Sequence, residues 1–254
     1  MRQPLLRLTW VLFSCLLVVS MLFTAKPYLS TNAPADHHAP ILTVPEMPPA
    51  DEPEPELPDN PVDFPALWKE FPEAVAWIRV PDTPIDYVVM QSTQDTPEDF
   101  YLDHNETGKQ DDHGAIYIQK YNFADFSDPN TILYGHNVRR FQRFGGIHKF
   151  KDRDFFDAHE YLYIYTPHHV LTYRIYSLFD FGERHLLWAY DFDTDEGFQK
   201  FIDKTLNPRT YNRLVREGVA PTTDDRLVTL STCQNDGDGR LLLVAVLIED
   251  TETK

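Results

Sequence analysis

A proline-rich acidic segment limits how much of this chain can fold around one core. Residues 34–65 contain ten of the 20 prolines and eight carboxylates, and they contain no lysine or arginine. Such a composition offers little apolar surface to bury, so this segment is predicted to be extended and solvated. We therefore expect a tether over residues 26–63 and one domain with a sizeable core over residues 64–254.

The N-terminal segment is predicted to be a membrane anchor. Residues 8–25 carry no charge and are rich in Leu, Val and Phe. A helix of that length spans roughly 27 Å, close to the thickness of a bilayer core. No small-residue cleavage site precedes Lys26, so an uncleaved anchor is favoured over a cleaved signal or a buried soluble helix. Because Arg2 and Arg7 come before this segment, residues 1–7 are predicted to be cytoplasmic and the domain extracellular.

The charge of the chain excludes several classes of partner. The net charge is −17, of which residues 66–254 carry −12. A surface this acidic argues against nucleic acid or anionic lipid as the partner of the domain.

The sequence contains no metal-binding pattern. The two histidines His168 and His169 are adjacent in sequence rather than at the spacing of metal ligands, and no loop has a calcium-binding pattern, so no cofactor or metal is predicted.

Strand signals dominate the predicted domain. Short runs of β-branched and aromatic residues are mostly bounded by Gly, Pro, Asn or Asp, which is typical of strands. Many short strands in one domain predict a mainly β fold, either a closed barrel or a sandwich. The runs are 85–90, 115–118, 131–134, 161–165, 170–179, 226–232 and 240–248.

Two helices are predicted in addition to these strands. Apolar side chains recur at helical spacing over residues 198–206, and Asp193, three residues before Glu196, is predicted to cap this helix. A shorter helix is predicted over residues 66–71, before Pro72.

Cys233 is the first candidate for a chemical role. It is one of two cysteines, and the other, Cys15, lies in the predicted anchor. An unpaired thiol outside the cytoplasm is open to oxidation, so its presence favours a chemical function. Strand alternation puts Thr229, Ser231 and Cys233 on one small polar face, as in the wall of a cleft. The alternative is an inert, buried small residue.

A turn-forming segment, residues 234–239, connects Cys233 to Arg240. If this segment closes a hairpin, the two residues lie opposite each other with their Cβ atoms about 5 Å apart. A guanidinium there favours a thiolate and offers donors to an oxyanion. The alternative is that Arg240 pairs with Asp236 or Asp238 and holds the turn.

A thiol nucleophile also needs a group that donates and accepts a proton, usually a histidine. His136 is favoured by its position, because it follows the predicted strand 131–134 within Tyr134-Gly135-His136-Asn137, and strand ends hold side chains rigidly. The other histidines lie in the tether, in a turn or in polar stretches typical of solvated surface. They are His37, His38, His104, His113, His148, His159, His168, His169 and His185.

With these residues in place, the chain resembles the sortases, which are cysteine transpeptidases of Gram-positive cell surfaces. The similarity rests on residues 229–233 with Arg240 downstream, on residues 131–137, and on residues 77–87, and it extends over most of residues 64–248. Ser231 and the predicted helix before the cysteine strand favour class B. The connection from the cysteine to the arginine is shorter than class B implies, which affects the expected shape of the substrate groove.

The resemblance implies a closed eight-stranded sortase-type β-barrel with an N-terminal helix and a helix before the cysteine strand, here preceded by the single transmembrane helix. It implies that Cys233 attacks the peptide bond after a Thr in a C-terminal sorting signal and forms a thioacyl enzyme. An amine of the peptidoglycan cross-bridge, of lipid II or of a pilin lysine then takes the acyl group.

The resemblance also implies a role for each site residue. His136 is expected to act as general acid and then base, and Arg240 to hold the carbonyl oxygen. Ser231, Thr232 and Asn137 are expected to support the substrate or the oxyanion.

Two other functions remain open from the residues alone. The first is a cysteine hydrolase that uses water as the acceptor, since thioester formation is common to both reactions. The second is a wall-associated binding module with an incidental thiol. Its support is a set of tyrosines on the predicted strands, namely Tyr161, Tyr163, Tyr165, Tyr173 and Tyr176.

Overall fold

The computed structural model describes residues 56–234 and 239–254. The predicted cytoplasmic N-terminus (1–7), the predicted membrane helix (8–25) and most of the predicted tether (26–63) lie outside the described residues. Within the described ranges, no helix has the length and apolar character needed to cross a bilayer.

The strands follow the apolar runs of the sequence. All seven predicted runs form strands, and the described residues hold two more: β1, which the resemblance implied, and the short β7, which the sequence did not predict. The strands are β1 (Ala74–Arg79), β2 (Asp86–Gln91), β3 (Ile116–Ile118), β4 (Asn130–Tyr134), β5 (Tyr161–Tyr165), β6 (His169–Phe181), β7 (Arg213–Val215), β8 (Leu227–Cys233) and β9 (Arg240–Glu252).

Helices precede the first strand and occur in several of the connections between strands. Both predicted helices are present, and two short α-helices and three 3₁₀ segments add to them in the described part of the chain. The α-helices are α1 (Phe64–Glu70), α2 (Arg153–Ala158), α3 (Leu186–Ala189) and α4 (Asp195–Leu206); the 3₁₀ segments are Phe100–Leu102, Arg139–Phe141 and Phe144–Lys151.

Eight of the described strands close into a barrel. Their order is β1-β2-β3-β4-β8-β9-β6-β5, and the ring closes because β5 pairs with both β6 and β1. β7 pairs with β6 outside this ring. The β2–β3 and β4–β8 pairs are parallel, and the other pairs are antiparallel. The predicted closed eight-stranded barrel with an N-terminal helix is confirmed.

The first half of β9 is buried on both faces, as its continuous apolar run predicts. Leu241, Leu243 and Ala245 belong to the core inside the barrel. The alternate residues Leu242 and Val244 pack in a second core together with buried side chains of α4. β9 is therefore the layer shared by two cores, which fixes its position firmly beside β8.

The cap of α4 differs from the prediction. Thr194, not Asp193, is the N-cap residue, and its hydroxyl accepts a hydrogen bond from the amide of Gly197. The Asp191 carboxylate accepts hydrogen bonds from the Asp193 amide and the Thr194 hydroxyl. That turn uses the backbone amide of Asp193, which lies just before the N-cap position, so Thr194 becomes the cap.

The residues just before α1 hydrogen-bond to the C-terminal end of the chain. The Asn60 side-chain amide donates to the Thr166 carbonyl at 2.8 Å and to the Thr253 hydroxyl at 3.0 Å. The Lys254 amide donates to the Pro58 carbonyl at 3.1 Å. The chain therefore enters the barrel beside the end of β9.

A buried arginine joins β6, α2 and the segment after β7. Arg216 is 8% exposed, and its guanidinium donates to the carbonyls of Ile175 and Phe156 and lies over the Phe156 ring. Burial lowers the pKa of Arg216. Hydrogen bonds to several carbonyls compensate the desolvation of this charge.

We expect Arg216→Met to destabilise the fold by about 3 kcal/mol, because buried carbonyl oxygens lose their donors. Urea unfolding of the full chain, followed by tryptophan fluorescence, measures the change. Arg213→Met, at an exposed strand position, is the matched control and should change stability by less than about 0.5 kcal/mol. Equal effects of the two substitutions would contradict the assigned role.

Candidate active site

The pairing of three strands brings the candidate residues to one rim of the barrel. β4 and β8 are parallel, with Tyr134 opposite Ser231. The Gly135 amide still donates to the Ser231 carbonyl at 3.2 Å. His136 and Cys233 each come two residues after this pair, and because the carboxyl ends of parallel strands share one edge of a sheet, they leave the sheet at the same edge.

Cys233 and Arg240 lie opposite each other, as the hairpin prediction requires. They are the last pair of the β8–β9 ladder, and Arg240 Nη1 lies 3.6 Å from Cys233 Sγ. The Gln234 amide donates to the Gly239 carbonyl at 3.3 Å. The alternative partners of Arg240, Asp236 and Asp238, fall outside the described residues.

Two side chains from the third 3₁₀ segment form hydrogen bonds with Cys233 and the residue after it. His148 Nε2 lies 3.0 Å from the Cys233 carbonyl, and Lys151 Nζ donates to Gln234 Oε1 at 2.9 Å. Burial lowers the pKa of His148. The prediction that His148 is a solvated surface residue is therefore wrong: its neighbours Ile147 and Phe150 are fully buried, and they draw it against the hairpin.

His136 is oriented from the other side of the rim. Its Nε2 atom lies 2.7 Å from the carbonyl oxygen of Leu102, at the end of the first 3₁₀ segment. The backbone amide of Phe144, at the start of the third 3₁₀ segment, donates to the His136 carbonyl at 3.0 Å. Both the side chain and the backbone of His136 are thus held by hydrogen bonds.

Glycine is required at position 135 because the backbone there passes very close to two core side chains. A Cβ atom there would lie 2.4 Å from Ile116 Cδ1 and 2.8 Å from the Phe144 ring. Only glycine leaves room for the chain to pass these two core side chains before it presents His136. The glycine before the histidine is thus explained by packing.

One cavity of about 250 Å³ joins these residues. Five of the six predicted site residues line it: His136, Ser231, Thr232, Cys233 and Arg240. The sixth, Asn137, is not among its lining residues and forms a β-bridge with Arg143.

The cleft wall differs in part from the face predicted by strand alternation. Thr229 is fully buried and donates to the Asn130 side chain at 2.8 Å, so it is structural. Thr232, predicted to lie on the opposite face, does line the cavity. It can do so because the site lies at the strand end, where both faces meet the opening.

Aromatic residues that the sequence did not single out complete the wall. Tyr117 and Tyr134 line the cavity with their rings stacked at 5.5 Å, and burial raises the pKa of both. His185 also lines it, and burial together with the charge of Arg240 lowers its pKa. The prediction that His185 is solvated is wrong, and these three rings give the wall beside Cys233 an aromatic surface.

The described residues suggest no metal site. Within these ranges, no three His, Cys, Asp or Glu side chains are placed to hold one ion. The chemistry that the cavity offers comes from a thiol, an imidazole and a guanidinium. A thiol beside a cation can form a covalent acyl intermediate, and an imidazole can move the protons.

Comparison with known proteins identifies relatives of the whole barrel. The family model described as Sortase domain matches residues 78–248. The chain is 28% identical over 185 residues to sortase B of Listeria monocytogenes serovar 1/2a, covering 72% of each protein. It is 26% identical over 189 residues to sortase B of Staphylococcus aureus, covering 73% of this chain and 75% of that protein.

Solved structures agree with these matches. The X-ray structure of Clostridium perfringens sortase B has a TM-score of 0.63 at 29% identity and covers 73% of this chain and 100% of its own. A Staphylococcus aureus sortase B–substrate complex has a TM-score of 0.63 at 25% identity, covering 73% and 84%.

We expect Cys233 to react with iodoacetamide in the folded chain, and Arg240→Met to slow this reaction about tenfold at pH 7. The positive charge 3.6 Å from the sulfur stabilises the reacting anion, and tenfold corresponds to about 1.4 kcal/mol. Mass spectrometry of the Cys233 peptide separates it from Cys15. Arg184→Met, which removes another cation from the same cavity wall, should leave the rate nearly unchanged. Similar slowing by both variants would show a general field rather than a specific contact.

Proposed function

The chain belongs to the sortase family and is a class B cysteine transpeptidase, and we propose that Cys233 is its nucleophile, His136 its general acid and base, and Arg240 its oxyanion donor. The observation that carries this assignment is the 3.6 Å contact between Arg240 and the sulfur of Cys233. It lies in the cavity that His136 also lines.

The first half of the proposed reaction forms a thioester. Cys233 gives its proton to His136, and the sulfur attacks the carbonyl carbon of the scissile peptide bond. Arg240 donates hydrogen bonds to the oxygen that becomes negative. His136 then returns the proton to the departing amine, the carbon–nitrogen bond breaks, and the acyl group stays on the sulfur.

The second half transfers the acyl group. An incoming amine attacks the thioester carbonyl, and His136 takes a proton from its nitrogen. The carbon–sulfur bond breaks, a new amide forms, and His136 passes this proton to the sulfur, which restores the thiol of Cys233. Ser231 and Thr232, which line the cavity beside the sulfur, are proposed to position the bound peptide. Asn137 is proposed to support the site through the loop that follows His136.

The substrates follow from the family in general terms. Sortases act on proteins with sorting signals and on amine acceptors. For this chain we propose cleavage after a Thr of a C-terminal sorting signal and transfer to an amine of peptidoglycan, of lipid II or of a pilin. We further propose that residues 8–25 anchor it as a single-pass membrane protein with an extracellular domain, on the strength of their uncharged apolar sequence.

Burial weakens the alternative of a binding module with an incidental thiol. Two of its proposed tyrosines, Tyr173 and Tyr176, are fully buried, so they offer no surface. The thiol lies in a cavity beside a guanidinium instead of being packed in the core. The hydrolase alternative shares the thioester step and differs only in the acceptor.

The full chain should cleave a peptide of the Asn-Pro-x-Thr kind after its Thr, and Cys233→Ala should abolish the cleavage. Arg240→Ala should lower kcat/KM by roughly 10²–10³-fold, as expected for loss of an oxyanion donor. Chromatography of the fluorescent fragments measures both. Arg153→Ala, at an exposed ion pair with Asp157, is the control and should retain full activity. Undiminished cleavage by Cys233→Ala would refute the assignment.

The acceptor is tested separately. Adding a short amine such as triglycine should divert the acyl group from water to the amine and increase the turnover of the peptide. Mass spectrometry of the two products gives their ratio. A product ratio independent of amine concentration would favour the hydrolase.

A further inference from the structure

The imidazole of His136 is held in one tautomer. Its Nε2 atom lies 2.7 Å from the Leu102 carbonyl oxygen. A carbonyl oxygen can only accept a hydrogen bond, so Nε2 carries the hydrogen. Among the described residues, Nδ1 of His136 has no hydrogen-bond partner, and in the neutral ring its lone pair is free to accept a proton.

The carbonyl belongs to a segment with its own supports. Leu102 ends the 3₁₀ segment Phe100–Leu102, and the hydroxyl of the buried Tyr101 donates to the Glu73 carboxylate. The Tyr101 carbonyl accepts the Ala115 amide at 2.9 Å. The segment is therefore tied to the chain just before β1 and to the chain just before β3.

Gly114 packs closely against the backbone of this segment. Its φ is +55°, and a Cβ atom there would lie 2.5 Å from the Leu102 carbonyl oxygen and 2.6 Å from the Tyr101 carbonyl oxygen. Any side chain at this position would push away the oxygen that contacts His136. The backbone fits closely around that carbonyl.

A second tie connects the loop after His136 to the same segment. Arg143 forms an ion pair with Glu106, and their side chains are only 13% and 17% exposed. The Arg143 amide also donates to the Tyr87 hydroxyl at 3.1 Å. The ion pair thus links the chain that follows His136 to the chain that follows Leu102.

We propose that the backbone carbonyl of Leu102 is a positioning group for the reaction: it fixes His136 in the Nε2–H tautomer and reserves Nδ1 for proton transfer. It does for this site what a carboxylate or amide side chain does in a Ser-His-Asp or Cys-His-Asn triad, where a third group orients the base. The inference rests on the proposed role of His136 as general acid and base.

With the ring held in this way, Nδ1 of His136 can serve both halves of the reaction. The proton taken from Cys233 or from the incoming amine must be received and returned at the same place. With Nε2 occupied, the ring cannot flip to offer its other nitrogen without losing the hydrogen bond to Leu102. Preorganisation of this kind avoids a reorientation step during the reaction.

Gly114→Ala is the direct test. Long-range ¹H–¹⁵N correlation spectra of the full chain, assigned with His136→Gln, should show the neutral form of the wild-type ring as the Nε2–H tautomer. In Gly114→Ala the signals should move toward a mixture of tautomers, and kcat for peptide cleavage should fall about ten- to hundredfold. The KM should change little, because Gly114 does not line the cavity.

The matched control is Gly108→Ala. Gly108 also has a positive φ, +72°, but no atom lies within 4 Å of its Cβ position. The substitution brings a similar backbone strain without pressing on the carbonyl, so the tautomer and kcat should stay as in the wild type. If Gly114→Ala does not fold, Tyr101→Phe loosens the same segment by removing the bond to Glu73 and should give a smaller change in the same direction.

The outcomes separate this inference from the proposed function. A wild-type His136 in the Nδ1–H form, or a Gly114→Ala variant with slowed cleavage but an unchanged tautomer, would overturn the role of Leu102 and leave the catalytic assignment standing. Full activity of His136→Gln would instead refute the catalytic assignment itself.

Discussion

The parallel pairing of β4 with β8 determines where the candidate catalytic residues lie. With Tyr134 opposite Ser231, the two chains leave the sheet side by side, one toward His136 and the other toward Cys233. The antiparallel return of β9 then places Arg240 opposite the cysteine. A shift of this register by one residue would turn Cys233 toward the other face of the sheet and separate it from both partners.

The rim stays rigid because the strands beneath it are buried. Leu230 of β8 and Leu243 of β9 are paired with each other and fully buried. Above them, polar contacts hold the reacting groups from two directions: His148 supports the backbone of Cys233, and the Leu102 carbonyl supports the ring of His136. The core fixes the strand ends, and these hydrogen bonds fix the groups that the strand ends carry.

Strand signals and turn chemistry were sufficient to locate seven of the eight barrel strands and the Cys233–Arg240 pair, because those features depend on neighbours in sequence. Strand β7 was missed because its three residues lie at the outer edge of the sheet and need no apolar run. Leu102, Tyr117 and His185 were missed for another reason. Leu102 and His185 lie in connecting segments whose paths are set by distant contacts, such as that between Tyr101 and Glu73. Tyr117 lies on β3, and its place in the cavity depends on the pairing with β4 and on its stacking against Tyr134. The N-cap of α4 is Thr194 and not the predicted Asp193, because the Asp191 side chain forms a turn with the Asp193 amide.

The entry of the chain beside the end of β9 has a mechanical consequence. β9 has 13 residues, from Arg240 at the catalytic rim to Glu252, so it covers roughly 40 Å at about 3.3 Å per residue. Pro58 and Asn60 bind next to its far end. A pull on the chain ahead of the barrel is therefore borne beside the end of β9 that lies farthest along the strand from Arg240, and the strand transmits it along its length before it reaches the cleft.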